Sequence, residues 1–75
     1  MPLLKRSLSL AGHRTSLSLE AEFWSVLDAA VKEDGHSLAG LIGMIDEARG
    51  SEPLASAVRV WTLQRVQRVQ QRQQS

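Results

Sequence analysis

Residues 12–20 read Gly12-His13-Arg14-Thr15-Ser16-Leu17-Ser18-Leu19-Glu20, and from Arg14 to Leu19 polar and core-facing positions alternate without a break. Thr15, Leu17 and Leu19 fall on one side and Arg14, Ser16 and Ser18 on the other. This is the pattern of a strand with one buried and one exposed face. Everything after Glu20 has helical spacing, so the chain holds at most one further strand-like segment. A strand needs partners for its backbone donors and acceptors, and an isolated two-stranded hairpin is marginal in water. These constraints predict a second copy of the chain that pairs the same strand antiparallel across a two-fold axis. Two copies of Arg14, Ser16 and Ser18 would then share one outward face. It would be basic, polar and narrow, which is what a two-stranded ribbon needs to enter a DNA major groove.

The preceding segment, Lys5-Arg6-Ser7-Leu8-Ser9-Leu10, carries the same Ser-Leu-Ser-Leu quartet that recurs at Ser16 to Leu19. The quartets are out of phase: Leu8 and Leu10 are even-numbered, Leu17 and Leu19 odd. One unbroken strand would put them on opposite faces. Either a bulge near Gly12 or a turn through Ala11 to Arg14 restores the phase, and the sequence leaves both open. Residues 1–11 are thus a basic arm or an extra strand, with Met1 to Leu4 expected as a loose end.

Downstream, the spacing predicts a helix from Glu20 to Glu33. Glu20 and Glu22 sit in its first turn, Phe23, Trp24, Leu27, Ala30 and Val31 form its buried face, and Gly35 ends it. A second helix starts with Ser37 as N-cap, buries Leu38, Leu41, Ile42 and Ile45, and runs to Arg49, closed by Gly50. Ser51 is placed to cap a third helix with Pro53 in its first turn. Leu54, Val58 and Trp61 mark its apolar stripe, which Val60, Leu63 and Val66 broaden. The Gln-rich stretch Gln70 to Ser75 is expected to fray. The division is therefore 1–11, a core at 12–50, and a C-terminal helix with its tail at 51–75.

Seventy-five residues make one small domain in which burial by a single chain is marginal. The absence of cysteine excludes disulfides and thiolate metal sites, and the two histidines, His13 and His36, lie too far apart in sequence to suggest a metal centre. The acids are scattered over helix surfaces. No nucleophile–base pair or glycine-rich phosphate loop appears, so no enzyme and no cofactor is expected. No run reaches the roughly 20 apolar residues of a membrane span. A transit peptide is considered for the basic, acid-free N-terminus, but that segment alternates with period two, and a cytoplasmic chain is expected. Charge is unevenly spread. Residues 1–19 carry Lys5, Arg6 and Arg14 and no acid (+3), residues 20–53 hold eight acids against Lys32 and Arg49 (−6), and residues 54–75 carry four arginines (+4). Basic ends flanking an acidic middle invite a polyanionic partner.

Strand, helix, glycine-containing turn, helix: over Arg14 to roughly Arg49 the chain resembles the ribbon-helix-helix superfamily of DNA-binding dimers, which includes Arc and MetJ. Arg14 to Leu19 fits its polar/apolar alternation, and Gly35-His36-Ser37-Leu38 fits its inter-helix turn. The run from Lys5 to Glu20, with Trp24 and Ile45 to Gly50, is similar to a bacterial ribbon-helix-helix domain family that carries a third segment. The resemblance implies a mainly α fold with one short β element, an intertwined homodimer with an intersubunit ribbon, and an extra C-terminal helix. It implies that Arg14, Ser16 and Ser18 face bases, and that Ser37 and Leu38, opening the second helix, meet a phosphate. Lys5 and Arg6 are expected to join them on phosphate as an arm. The departure is chemical: two serines reach a shorter distance than the longer readers often found in the family.

The expected function is DNA binding as a homodimer, as a transcriptional regulator. One alternative is an antitoxin whose C-terminal helix grips a protein partner; another is an interaction module that keeps the fold without binding DNA.

Overall fold

The computed structural model describes residues 2–74 and contains a β-hairpin followed by three helices. Strand β1 spans Leu4–Leu10 and strand β2 His13–Leu19; helices α1, α2 and α3 span Ala21–Asp34, Leu38–Ala48 and Leu54–Gln74. Met1 and Ser75, the outermost residues of the expected loose end and frayed tail, lie outside the described residues. The rest of that tail, Gln70 to Gln74, continues α3.

The partner of β2 is β1 of the same chain. They pair antiparallel from Leu4↔Leu19 to Leu10↔His13, joined by Ala11 and Gly12. Both linking residues have positive φ, 51° and 81°. That is the pattern of a type I′ turn, whose twist matches the strands it joins. The turn also resolves the phase of the two quartets. Because even positions of β1 face odd positions of β2, Leu8 and Leu10 share one face with Leu17 and Leu19, and all four are buried. The expected two-stranded ribbon is therefore present, but one chain supplies both strands.

Its apolar face lies on the helices. Leu8, Leu10, Leu17 and Leu19 form one cluster with Trp24, Leu27 and Ala30 of α1, Leu41, Ile42 and Ile45 of α2, and Val58 of α3. Full burial of a Leu, Ile or Val is worth roughly 1.5–3 kcal/mol. Helix α1 ends on Gly35 in the left-handed region (φ 74°), whose N–H donates to the Val31 carbonyl at 3.0 Å. Ser37 caps α2 as expected, its Oγ accepting from the Gly40 N–H at 3.0 Å. A Cβ at Gly40 would come within 2.9 Å of that Oγ, so a larger residue there would require the cap hydroxyl to shift.

Helix α3 departs from its expected start and stripe. It opens at Leu54, with the Pro53 carbonyl accepting from the Ala57 N–H, so Ser51 is not its cap. Val58 and Thr62 are buried; Leu54 and Trp61 are half-buried; Val60 and Leu63 are more than half-exposed or close to it, at 50% and 56%, and Val66 is exposed. At 100° per residue, Val60 and Leu63 point away from the line through Val58 and Thr62. Thr62 is tolerated inside because its Oγ1 donates to the Arg59 carbonyl of its own helix at 2.7 Å. Trp24, by contrast, is deep in the core, and its Nε1–H donates to the Leu4 carbonyl at 2.8 Å, fixing the start of β1.

Candidate nucleic-acid interface

Alternation that turns leucines inward turns the intervening residues outward. The outer face of the hairpin consists of three cross-strand pairs: Lys5↔Ser18, Ser7↔Ser16 and Ser9↔Arg14. Ser18 is half-buried and the other five are exposed. Every residue on this face is polar, both charges are positive, and no acid is present. Arg14, Ser16 and Ser18 thus share one face, as expected, and Lys5 stands with them. Ser7 and Ser9 complete it. Sequence reasoning left them out, although the repeated Ser-Leu-Ser-Leu quartet was the signal that could have found them.

Arg6 is not on this face. Opposite Leu17, it turns toward α1, where its guanidinium donates twice to the Asp28 carboxylate at 2.9 and 3.1 Å and stacks 4.4 Å from the Trp24 ring centroid. The expected two-residue basic arm is thus split by strand alternation: Lys5 faces out and Arg6 closes over the core. The hydrogen bond from Arg6 holds the Asp28 carboxyl below its ordinary range.

The remaining charge is largely spent inside the fold. Arg59 reaches Glu20 at 2.9 Å, Arg65 reaches Asp34 at 2.7 Å and Glu33 at 2.9 Å, and Arg49 reaches Asp46 at 2.6 Å. The basic C-terminal segment and the acidic middle therefore pair with one another. Among the described residues, no acid pairs with Lys5 or Arg14. An unpaired cation on a strand face has its full field available to a polyanion.

At the start of α2, the Ser37 cap takes the Gly40 N–H and the Ser37 carbonyl takes the Leu41 N–H. The N–H groups of Leu38 and Ala39 are the two first-turn donors left for an outside acceptor, at the positive end of the helix dipole. His13 and His36 are both exposed, one at the start of β2 and one in the α1–α2 turn. Among the described residues, no three His, Cys, Asp or Glu side chains are grouped to hold a metal ion, and no helix is long and apolar enough to cross a membrane.

A hairpin with a basic outer face, a glycine turn between two helices and a serine cap on the second are joined here in one chain, and the model of the ribbon-helix-helix domain matches residues 3–66. The chain belongs to the ribbon-helix-helix family. Members of this family are typically DNA-binding regulators, generally dimerise, and are generally not enzymes. No curated protein and no solved structure matches the chain. For this ribbon-helix-helix chain, the match takes in both strands and α1, α2 and the first half of α3.

Proposed function

We propose that the protein is a cytoplasmic transcriptional regulator that binds duplex DNA as a homodimer, with the outer face of its hairpin in the major groove. The observation that carries this reading is that face: two strands wide, free of acid, with Lys5 and Arg14 on it unpaired with any acid among the described residues. Arg14 is the base reader, since a guanidinium can span the O6 and N7 of guanine. Ser16 and Ser18 each offer one short hydrogen bond and discriminate less. Lys5 and the first turn of α2 at Ser37 and Leu38 meet phosphates and set the register. Arg6 has no part in it, because Asp28 and Trp24 already hold it.

Self-association is supported by the two free edges of a two-stranded sheet, where a second copy can add a strand. The antitoxin alternative is disfavoured because α3 is built into the domain through Val58 and Thr62.

The test is binding to specific and random duplexes across a salt series. Arg14→Ala should flatten the preference between the two by about 1–3 kcal/mol, and Lys5→Ala should weaken both and reduce the salt slope. Parent-like affinity and salt slope in Arg14→Ala would show that the ribbon is a structural device only.

A further inference from the structure

Helix α3 carries apolar residues that the core does not use. Val60 and Leu63 are 50% and 56% exposed, although their neighbours Val58 and Thr62 are buried. At 100° per residue, Ser56, Val60, Leu63, Gln64, Gln67 and Gln71 share one outward arc of about 100°. Ser56 is half-buried and the other five are exposed. No charged residue falls on this arc. Arg59, Arg65, Arg68 and Arg72 all stand at least about 80° from Val60 around the helix. Other exposed faces differ: the hairpin shows Lys5 and Arg14, α1 shows Glu22, Asp28 and Lys32, and α2 shows Glu47. Two largely apolar grooves flank the arc. One, of about 450 Å³, lies against α2 with Ile45, Ala57 and Trp61 in its wall; the other, of about 210 Å³, lies against α1 with Val26, Val66 and Val69.

We infer that the outer face of α3 is the docking surface of a second copy of this chain, whose own α3 lies antiparallel on it with Val60 and Leu63 of both copies at the centre. The occupant follows from charge. Depletion of charged residues marks the core of a protein interface, and a partner that brought charges here would have them desolvated without a mate. A second copy brings none on its α3. The amides of Gln64, Gln67 and Gln71 both donate and accept, so this face is complementary to itself, as a two-fold contact requires. The direction follows from charge as well. Arg68 pairs with no acid among the described residues. A parallel pair would bring two Arg68 side chains together. The antiparallel pair opposes the helix dipoles and carries Arg68 toward the start of the other α3, where the exposed Glu52 stands. This contact uses neither the outer face of the hairpin nor a free sheet edge. A dimer paired at the sheet edge therefore still presents two α3 faces and can join with another into a tetramer. The inference does not depend on DNA binding.

The test is sedimentation equilibrium without DNA, over a dilution series from millimolar to micromolar chain, on the parent, on Val60→Glu with Leu63→Glu, and on Arg14→Ala. Val60 and Leu63 lie outside the buried core, so the double variant should keep the parent's circular dichroism. It should have half the parent's mass, its self-association weakened on the order of 100-fold or more by like charges brought face to face. Arg14→Ala should match the parent. A fall from four chains to two leaves the sheet-edge dimer in place, and a fall from two to one makes α3 the sole self-contact; both support the inference. The chain has no cysteine, so a single introduced thiol gives a readout that adds no charge. Val60→Cys treated with a short bis-maleimide should yield a covalent dimer, whereas Glu22→Cys, exposed on α1, should not. Equal masses for parent and double variant, or crosslinking through Val60→Cys no greater than through Glu22→Cys, would overturn the inference and leave the face to a different protein. Because both measurements omit DNA, a parent that binds no duplex would sink the DNA-binding reading alone.

Discussion

Ala11 is the one described non-glycine residue with positive φ, 51°, and it stands at the first position of the hairpin turn. A left-handed conformation costs an L-residue with a Cβ roughly 1–2 kcal/mol, and glycine much less. Ala11→Gly should therefore stabilise the fold by about 0.5–1 kcal/mol after the larger entropy of the unfolded glycine chain is counted. In a thermal melt that corresponds to a rise of several degrees, on the order of 3–6 °C for a domain of this size. An unchanged or lower midpoint would mean that the turn carries no strain. Arg6 supports a second prediction at this scale. Its guanidinium covers Trp24 and bridges to Asp28 across an exposed surface, so Arg6→Ala should cost about 1 kcal/mol or less. Duplex affinity of the folded variant should stay at the parent value, unlike that of Lys5→Ala. Equal losses for Lys5→Ala and Arg6→Ala in a filter-binding or anisotropy titration would contradict the assignment of their two faces.

Among the elements, α3 divides into a half that belongs to the core and a half that does not. Val58 is fully buried, Thr62 nearly so, and Arg65 ties the helix to the end of α1 through Asp34 and Glu33. Beyond Val66 most residues are exposed. A chain ending after residue 66 should fold cooperatively with a midpoint near that of the parent. One ending after Gly50 should lose the cooperative transition, because the buried cluster that Val58 belongs to would be opened to water. Circular dichroism melts of the two truncations check this, and a folded 50-residue fragment would show α3 to be an appendage. The same geometry ranks the tryptophans. Trp24→Ala removes a buried ring and the donor to the Leu4 carbonyl, a loss of roughly 3–5 kcal/mol. Trp61→Ala, at a half-buried site against the Arg65 guanidinium, should cost clearly less.

At the scale of the molecule, the hairpin and its core close within one chain. The monomer should therefore remain folded on dilution, with helicity retained after any self-association is lost in sedimentation equilibrium. Loss of helicity in step with dissociation would restore the intertwined arrangement. Charge pairing sets the acid response. The Asp28 and Asp34 carboxyls are held below the ordinary 3.8, chiefly by hydrogen bonds from Arg6 and Arg65. Glu20 is held below the ordinary 4.5, first by its own backbone N–H and then by Arg59. A carboxylate depressed in the folded state contributes stability above its unfolded value and loses that contribution as pH falls through its folded value. The melting midpoint should hold from neutral pH to about 5 and fall below about 4. High salt should shrink that fall, most for Arg6–Asp28, the more exposed of these pairs, and less for the part-buried Arg59–Glu20 pair. A midpoint that is flat to pH 2 would mean that the pairs are unimportant to stability.

Local pattern alone was enough for β2, for Gly35 and Ser37 at the helix ends, for the buried faces of α1 and α2, and for the placing of Arg14, Ser16 and Ser18 together. Each of these rests on the period of a strand or helix or on a cap, and those are set by residues within a turn or two of one another. What lies opposite a strand is a different kind of fact. The alternation of β2 would have been the same with a second copy beside it, and only the closed Ala11–Gly12 turn brought β1 there. That turn also decided that Lys5 points out while Arg6 goes to Asp28. The tertiary fold likewise chose Val58 and Thr62 over Val60 and Leu63 on α3, because a helix with apolar residues all round buries whichever line its neighbours can reach.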